Sequence, residues 1–311
     1  MKWIVRVVAV LGLAVVGWAC LTAWSAIVHA HPLYPALLAL TALGSLYALW
    51  RSFRPSRSRR TWVRVLAIIG LVLWVAWIAL MAWLRPFPAL EPALTAMQSS
   101  STITVTETPT QIVMAPVEAT GTSGLFFQPG AKVDARAYAA VLRPLAEAGY
   151  TVVIPKQPLS IAFLATGAFE SARDANPQIT DWFVGGHSLG GTVAAMDAEA
   201  HDEDVTAPVV GLILYASYPA SDMSQSLTSK VLSVYGTNDG LATPADIDAS
   251  RAKLPKDALF TPIEGAVHAF FGDYGPQPGD GTPAVSHDEA RQLISRNTLI
   301  FMGAVDRGLV G

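Results

Sequence analysis

Three long apolar stretches dominate the first 90 residues: about Ile4 to Val28, Leu33 to Trp50 and Val65 to Leu84. Crossing a hydrocarbon core about 30 Å thick takes roughly 20 apolar residues as helix, so each stretch predicts a membrane span, the second at the short end of the range. Trp3, Trp24, Tyr34, Trp50, Trp62 and Trp83 lie near their ends, where amphipathic rings settle at the membrane–water interface. After Leu84 the pattern changes. Pro86, Pro88 and Pro92 mark residues 85–100 as a linker with room for a short helical piece.

From Ser101 onward, short β-branched or apolar runs alternate with longer helical segments. Strands are predicted over 102–106, 111–114, 124–127, 151–154, 182–184, 209–215, 231–235 and 259–263. Helices are predicted over 134–148, 159–176, 189–201 and 287–307. This alternation predicts an α/β fold, a mostly parallel sheet with helices on both faces. The chain thus divides into a membrane region (1–90), a linker (91–100) and one domain (101–311) of ordinary size.

Charge sharpens the division. No Asp or Glu precedes Glu91, whereas nine of the 21 Lys/Arg do, so the part from Glu91 onward carries 12 − 24 = −12. A strongly acidic domain lacks the basic footprint of nucleic-acid binding. Arg51, Arg54, Arg57, Arg59, Arg60 and Arg64 crowd the link between the second and third stretches, whereas the link around His29 to Pro32 has no Lys or Arg. Short basic links stay in the cytoplasm. The expectation is a multi-pass membrane protein with a cytoplasmic N-terminus and its C-terminal domain outside the cytoplasm. A signal peptide cleaved near Ala30 is the competing reading of the first stretch; its apolar run is long for one, and the domain would still lie outside. The spans hold no mid-span charges for an ion or proton relay, so anchoring in membrane lipids is their simplest task.

One short segment carries the chemistry. Residues 183–191 read FVGGHSLGG, an apolar run followed by Gly186-His187-Ser188-Leu189-Gly190. In a nucleophile elbow a strand turns sharply into a helix through a strained residue, and the positions two before and two after it must be small. Gly186 and Gly190 meet that condition. A serine hydroxyl needs a base, so the motif predicts an acid and then a histidine, each just past a strand. Asp239 follows the 231–235 strand in GTNDG, and His268 follows the 259–263 strand in EGAVH. The order Ser188, Asp239, His268 is the one this fold uses. Oxyanion donors are expected from the N–H of Leu189 and from the loop Gln128-Pro129-Gly130-Ala131, where Pro129 has no N–H and Gly130 or Ala131 must serve.

The segments FFQPGAKVDARAY, GGHSLGG, YGTNDG and EGAVHAFFGDYG resemble the α/β-hydrolase family, in particular the small lidless bacterial hydrolases related to dienelactone hydrolase. The resemblance covers roughly residues 110 to 305 and implies the α/β-hydrolase fold and triad roles for Ser188, Asp239 and His268. Dienelactone hydrolases carry cysteine as nucleophile where this chain has Ser188, so their substrate is not carried over.

Other residues have simpler readings. His187 is expected to be structural, and His29, His31, His201 and His287 to be surface or interfacial. Asp222 is the alternative acid. Phe270, Phe271 and Tyr274 either line an acyl pocket or pack the core. No metal or cofactor is expected: no His/Asp/Glu spacing suggests a metal site, Cys20 is the only cysteine, and no phosphate loop is present. About fifteen residues separate Tyr215 from Val231, too few for a large cap, so an open site is expected, favouring short or accessible substrates over deep lipid binding, with a small-molecule or lipid-like ester as the partner. Two functions compete with an esterase: an envelope acyltransferase, and a non-catalytic interaction protein on a hydrolase fold.

Overall fold

A computed structural model describes residues 2–55, 61–118 and 121–309. Helices α1 (Lys2–His29), α2 (Leu33–Phe53) and α3 (Thr61–Trp83) are each long and apolar enough to cross a membrane. α1, the end of α2 and the start of α3 run beyond the apolar stretches that mark them, because backbone hydrogen bonding continues into the flanking residues, whereas α3 stops at Trp83, one residue short of Leu84. Ala23 interrupts α1 with φ −142° and ψ 24°. Arg51, Arg54 and Arg64 flank the α2–α3 link; Arg57, Arg59 and Arg60 lie outside the described residues.

The segment read as a linker is packed. Its short helix α4 (Ala93–Ala96) buries Ala93 and Ala96 in the same core cluster as the sheet, and Phe87 bridges Val133. Small apolar side chains let this backbone approach the core, which the proline pattern alone does not reveal.

Eight strands follow: β1 (Ile103–Glu107), β2 (Gln111–Pro116), β3 (Ser123–Gln128), β4 (Thr151–Pro155), β5 (Asp181–His187), β6 (Val209–Tyr215), β7 (Lys230–Gly236) and β8 (Leu259–Ile263). They form one sheet in the order β1-β2-β4-β3-β5-β6-β7-β8, with β1–β2 and β2–β4 antiparallel and the other pairs parallel. Apolar cores lie on both faces, one around Phe127, Tyr138 and Phe271, the other around Phe126, Trp182 and Leu214. Strands covered on both faces read as continuous apolar runs, as Val209–Tyr215 does.

The connecting helices are α5 (Ala139–Glu147), α6 (Ala168–Ala175), α7 (Leu189–His201), α8 (Pro244–Ser250) and α9 (His287–Asp306). Asp134 begins the segment before α5, its side chain accepting from Arg136 N–H, but the first turn is a tight 3₁₀ turn over Ala135–Tyr138. The helix expected over 159–176 is reduced to two 3₁₀ turns and α6. Pro158 starts the first turn, and Leu159 (φ 56°) and Ser160 (φ 53°) stand in the left-handed region, which a regular helix excludes.

Candidate active site

The sheet brings the end of β5 between β3 and β6, and the turn that follows is the elbow. Ser188 has φ 53° and ψ −126°, a conformation costing a non-glycine residue about 1–3 kcal/mol and kept only where its surroundings enforce it. Its N–H donates to the Tyr215 carbonyl on β6 (3.0 Å), and its own carbonyl accepts from Ser217 Oγ (2.6 Å). A Cβ at Gly186 would collide with the Gly190 backbone, and one at Gly190 with the carbonyls of Gln128 and Pro129. The two glycines are therefore small for different reasons: one lets the turn close, the other lets the loop after β3 approach it.

Asp239 and His268 arrive from β7 and β8. His268 Nδ1 donates to Asp239 Oδ2 at 2.8 Å, both residues being buried. A carboxylate only accepts, so the shared proton sits on Nδ1 and Nε2 is left as the basic nitrogen. Asp239 Oδ1 accepts from the N–H groups of Leu241 and Ala242, both at 2.8 Å, which fixes the carboxylate. Asp222, the alternative acid, is exposed and accepts from Ser224 N–H; the carboxylate bonded to His268 is that of Asp239.

A third carboxylate braces this pair. Asp280 Oδ1 accepts from His268 N–H (3.0 Å), Gly240 N–H (3.2 Å) and Gly281 N–H (2.7 Å), while Oδ2 accepts from Ala269 N–H (2.8 Å). It thus ties the turn bearing Asp239 to the turn bearing His268. Sequence reasoning missed it, and the only signal was an acidic residue in a glycine-rich loop (PGDGTP).

On the opposite side, the loop after β3 separates its two expected donors, Gly130 and Ala131. Gly130 N–H donates to Tyr138 Oη (2.9 Å), Lys132 N–H to Ser160 O and Val133 N–H to Gly130 O. Gly130 is therefore engaged, and among the described residues Ala131 keeps the loop's free N–H. Leu189 opens α7, and the first N–H groups of a helix have no intrahelical acceptor.

His187 is buried beside the pair, its ring 4.5 Å from that of His268 and stacked on Phe271. Tyr138 Oη accepts from Gly130 N–H and shares a second hydrogen bond with His187 Nδ1 (2.9 Å). Burial pushes the Tyr138 hydroxyl up. Burial first, and the neighbouring His268 second, hold His187 well below the ordinary imidazole range, so it stays neutral. Of the aromatics after His268, Phe271 and Tyr274 are buried core. Phe270 stacks on His287 and lines a cavity of about 280 Å³ beside the His268 loop. His29 bonds Glu107, and His201 bonds Glu170 and Asp204; neither lies with the Asp239–His268 pair. Among the described residues, no three His, Cys, Asp or Glu side chains are grouped to hold a metal ion.

A doubly covered parallel sheet, an elbow after β5 and an acid–histidine pair after β7 and β8 can carry nucleophilic acyl chemistry. The profile described as "Alpha/beta hydrolase family" matches residues 124–292, more than half of the 311-residue chain. The chain belongs to the alpha/beta hydrolase family. Among solved structures, a lipase candidate from Acinetobacter baumannii matches with a TM-score of 0.51 at 12% identity, covering 67% of this chain and 93% of that one. A dienelactone hydrolase candidate from Klebsiella pneumoniae matches at 0.47 and 15% identity, covering 65% and 96%. Est1E from Butyrivibrio proteoclasticus matches at 0.46 and 13%, covering 65% and 100%. At 12% identity the first of these shows a likeness of fold alone. No curated protein matches the chain.

Proposed function

We propose that this alpha/beta hydrolase is a membrane-anchored serine esterase, acting on an ester or thioester outside the cytoplasm. The observation that carries the reading is the 2.8 Å Asp239–His268 bond on the sheet edge that also presents Ser188 on a strained elbow. In this reading His268 Nε2 takes the Ser188 Oγ proton as the oxygen attacks the substrate carbonyl. Asp239 holds the tautomer and stabilises the imidazolium that forms. The N–H groups of Leu189 and Ala131 receive the oxyanion, each worth about 10²–10³ in rate. His268 then returns the proton to the leaving alcohol, and water repeats the sequence to release the acid and regenerate Ser188.

The extracytoplasmic assignment rests on the basic link between α2 and α3 and on α3 crossing once more after it. The test is hydrolysis of a short p-nitrophenyl ester by the purified full-length chain, with Ser188→Ala beside it. Ser188→Ala is expected to lose essentially all turnover, and equal rates in the two proteins would reject the reading. Failure of a fluorophosphonate to label Ser188 in folded protein would favour a non-catalytic role. A reporter fused at the C-terminus checks topology, and a cytoplasmic signal would reverse it.

A further inference from the structure

The helices meet the hydrolase fold on one particular edge of the sheet. Parallel strands β3 to β8 all end on the same side, where Ser188, Asp239 and His268 stand. Because β2 runs antiparallel to β4, with Gln111 opposite Pro155, the β1–β2 turn lies on that edge too. Among the described residues, the hydrogen bonds from α1 and α3 to the domain reach this side: His29 Nδ1 to Glu107 at the end of β1 (2.8 Å), Lys132 Nζ to the Trp83 carbonyl (3.1 Å) and Arg136 to Ser25 (2.9 Å). Leu159 and Ile161, past β4, pack on the cluster formed by Ala23, Ile27, Tyr34 and Leu84.

The contact has a geometric reason. A 28-residue α1 is about 42 Å long against a hydrocarbon core of about 30 Å. That excess is taken up by tilt and by the break at Ala23, and the last turns beyond the break, Ser25 to His29, are the ones touching the domain. The loop expected to supply an oxyanion donor is braced from the same side. Lys132, next to Ala131, lies 4.5 Å over the Trp83 ring.

The same edge is apolar where it is uncovered. Phe163 (45% exposed), Leu164 (53%), Tyr218 (37%) and Leu241 (37%) come from the loops after β4, β6 and β7. The Tyr218 carbonyl accepts from Thr192 Oγ1 on the first turn of α7, and the Leu241 N–H donates to Asp239, so the loops after β6 and β7 adjoin the elbow and the Asp239 turn. Four large apolar groups on three separate loops, all on the edge joined to the membrane helices, form a surface suited to a lipid interface.

We infer that the catalytic edge faces the bilayer, with the Phe163–Leu164 turn seated in the lipid interface, and that the substrate is an ester carried by a membrane amphiphile. The substrate half of this inference rests on the serine-esterase reading; the docking half does not. It narrows the expectation of an open site for a short or accessible, small-molecule or lipid-like ester: with no large cap between β6 and β7, the membrane surface supplies the cover. An amphiphile keeps its chain among the lipids and raises only its ester to Ser188.

The two halves are tested separately, on full-length protein in phosphatidylcholine vesicles. For docking, an environment-sensitive fluorophore is attached at Phe163→Cys, Tyr218→Cys or Val205→Cys, each in a Cys20→Ser background. Val205, 98% exposed, precedes β6 on the opposite edge of the sheet. Nitroxides on lipid chains are expected to quench the labels at 163 and 218, and aqueous iodide the label at 205. Equal iodide quenching at all three positions would overturn the docking. For substrate, the same vesicles receive a long-chain umbelliferyl ester in the bilayer or p-nitrophenyl acetate in the water. Turnover of the embedded ester is expected to be at least about tenfold the greater. A preference for the acetate would overturn the substrate class alone; hydrolysis of neither would overturn it together with the esterase reading, leaving docking to the quenching result.

Discussion

Asp280→Ala isolates a group that touches no substrate in the proposed mechanism, so its effect comes entirely through position. The carboxylate accepts four backbone N–H bonds, from Gly240, His268, Ala269 and Gly281, at 2.7–3.2 Å. Gly240 and Gly281 are at the surface, where water replaces the lost acceptor. The N–H groups of His268 and Ala269 are partly buried, and hydrogen bonds to a charged group are worth about 1.5–3 kcal/mol each. Two such bonds predict a loss of about 3–6 kcal/mol, a large share of a typical folding free energy. The activity loss has a separate origin. His268 is held at its backbone by Asp280 and at its ring by Asp239; freeing the first lets the imidazole shift against Ser188. A displacement of about 1 Å costs about 10²-fold, so kcat on a short ester is expected to fall by that factor in the fraction that remains folded. The assay combines kcat in detergent, the rate of fluorophosphonate labelling and a denaturation midpoint. Asp280→Asn, which keeps the shape but turns one acceptor into a donor facing an N–H, should lie between parent and Ala in all three. A folded Asp280→Ala with kcat within about threefold of the parent would refute the bracing argument.

Three further outcomes follow from the site. Tyr138→Phe strands the Gly130 N–H and His187 Nδ1, both buried; at about 1–3 kcal/mol per unsatisfied group, denaturation should show a loss of about 2–6 kcal/mol, and kcat should fall as the Ala131 loop shifts. Asp239→Asn should lower kcat about 10⁴-fold by favouring the wrong His268 tautomer, with little change in KM; a loss confined to KM would contradict its assigned part. Asp197 is buried against Gln128 Nε2 (3.2 Å), and burial pushes its carboxyl up from 3.8 to about 6. A raised folded value means the native state holds this proton more tightly, so its contribution to stability is full below pH 4 and is lost as pH rises through 6. Asp197→Asn should remove that decline and stabilise the protein by about 3 kcal/mol above pH 7, read as a pH series of denaturation midpoints; an unchanged slope would reject the assignment.

Much of the fold was legible because its signals are local. Each predicted strand has a counterpart in the sheet, since β-branched runs such as Val209–Tyr215 and Val231–Tyr235 are bounded by polar or glycine-bearing turns. The elbow was legible for the same reason: whether a side chain fits at Gly186 depends on residues four and five positions away. The helix expected over 159–176 was misjudged because apolar periodicity does not report that Leu159 and Ser160 take left-handed backbone angles. Residues 85–100 read as a linker because prolines advertise irregular backbone and say nothing about whether it is packed.

The hydrogen-bond partners were out of reach in a more basic way. Gly130 was an acceptable oxyanion donor on paper, and only the fold places Tyr138 Oη against its N–H. Asp280 braces Gly240 from 40 positions away, and no local rule pairs them. The sequence by itself determined three apolar spans, an alternating α/β domain, the steric possibility of the elbow and the order of its candidate acid and histidine, because each depends on neighbours within a turn or on the period of one element. Tertiary structure alone decided which carboxylate bonds His268, which N–H of the β3 loop is left free, and that the helices join the sheet on the edge that carries the candidate site. Those outcomes depend on groups far apart in the chain, which compete for the same hydrogen bonds and the same space only after the sheet has assembled.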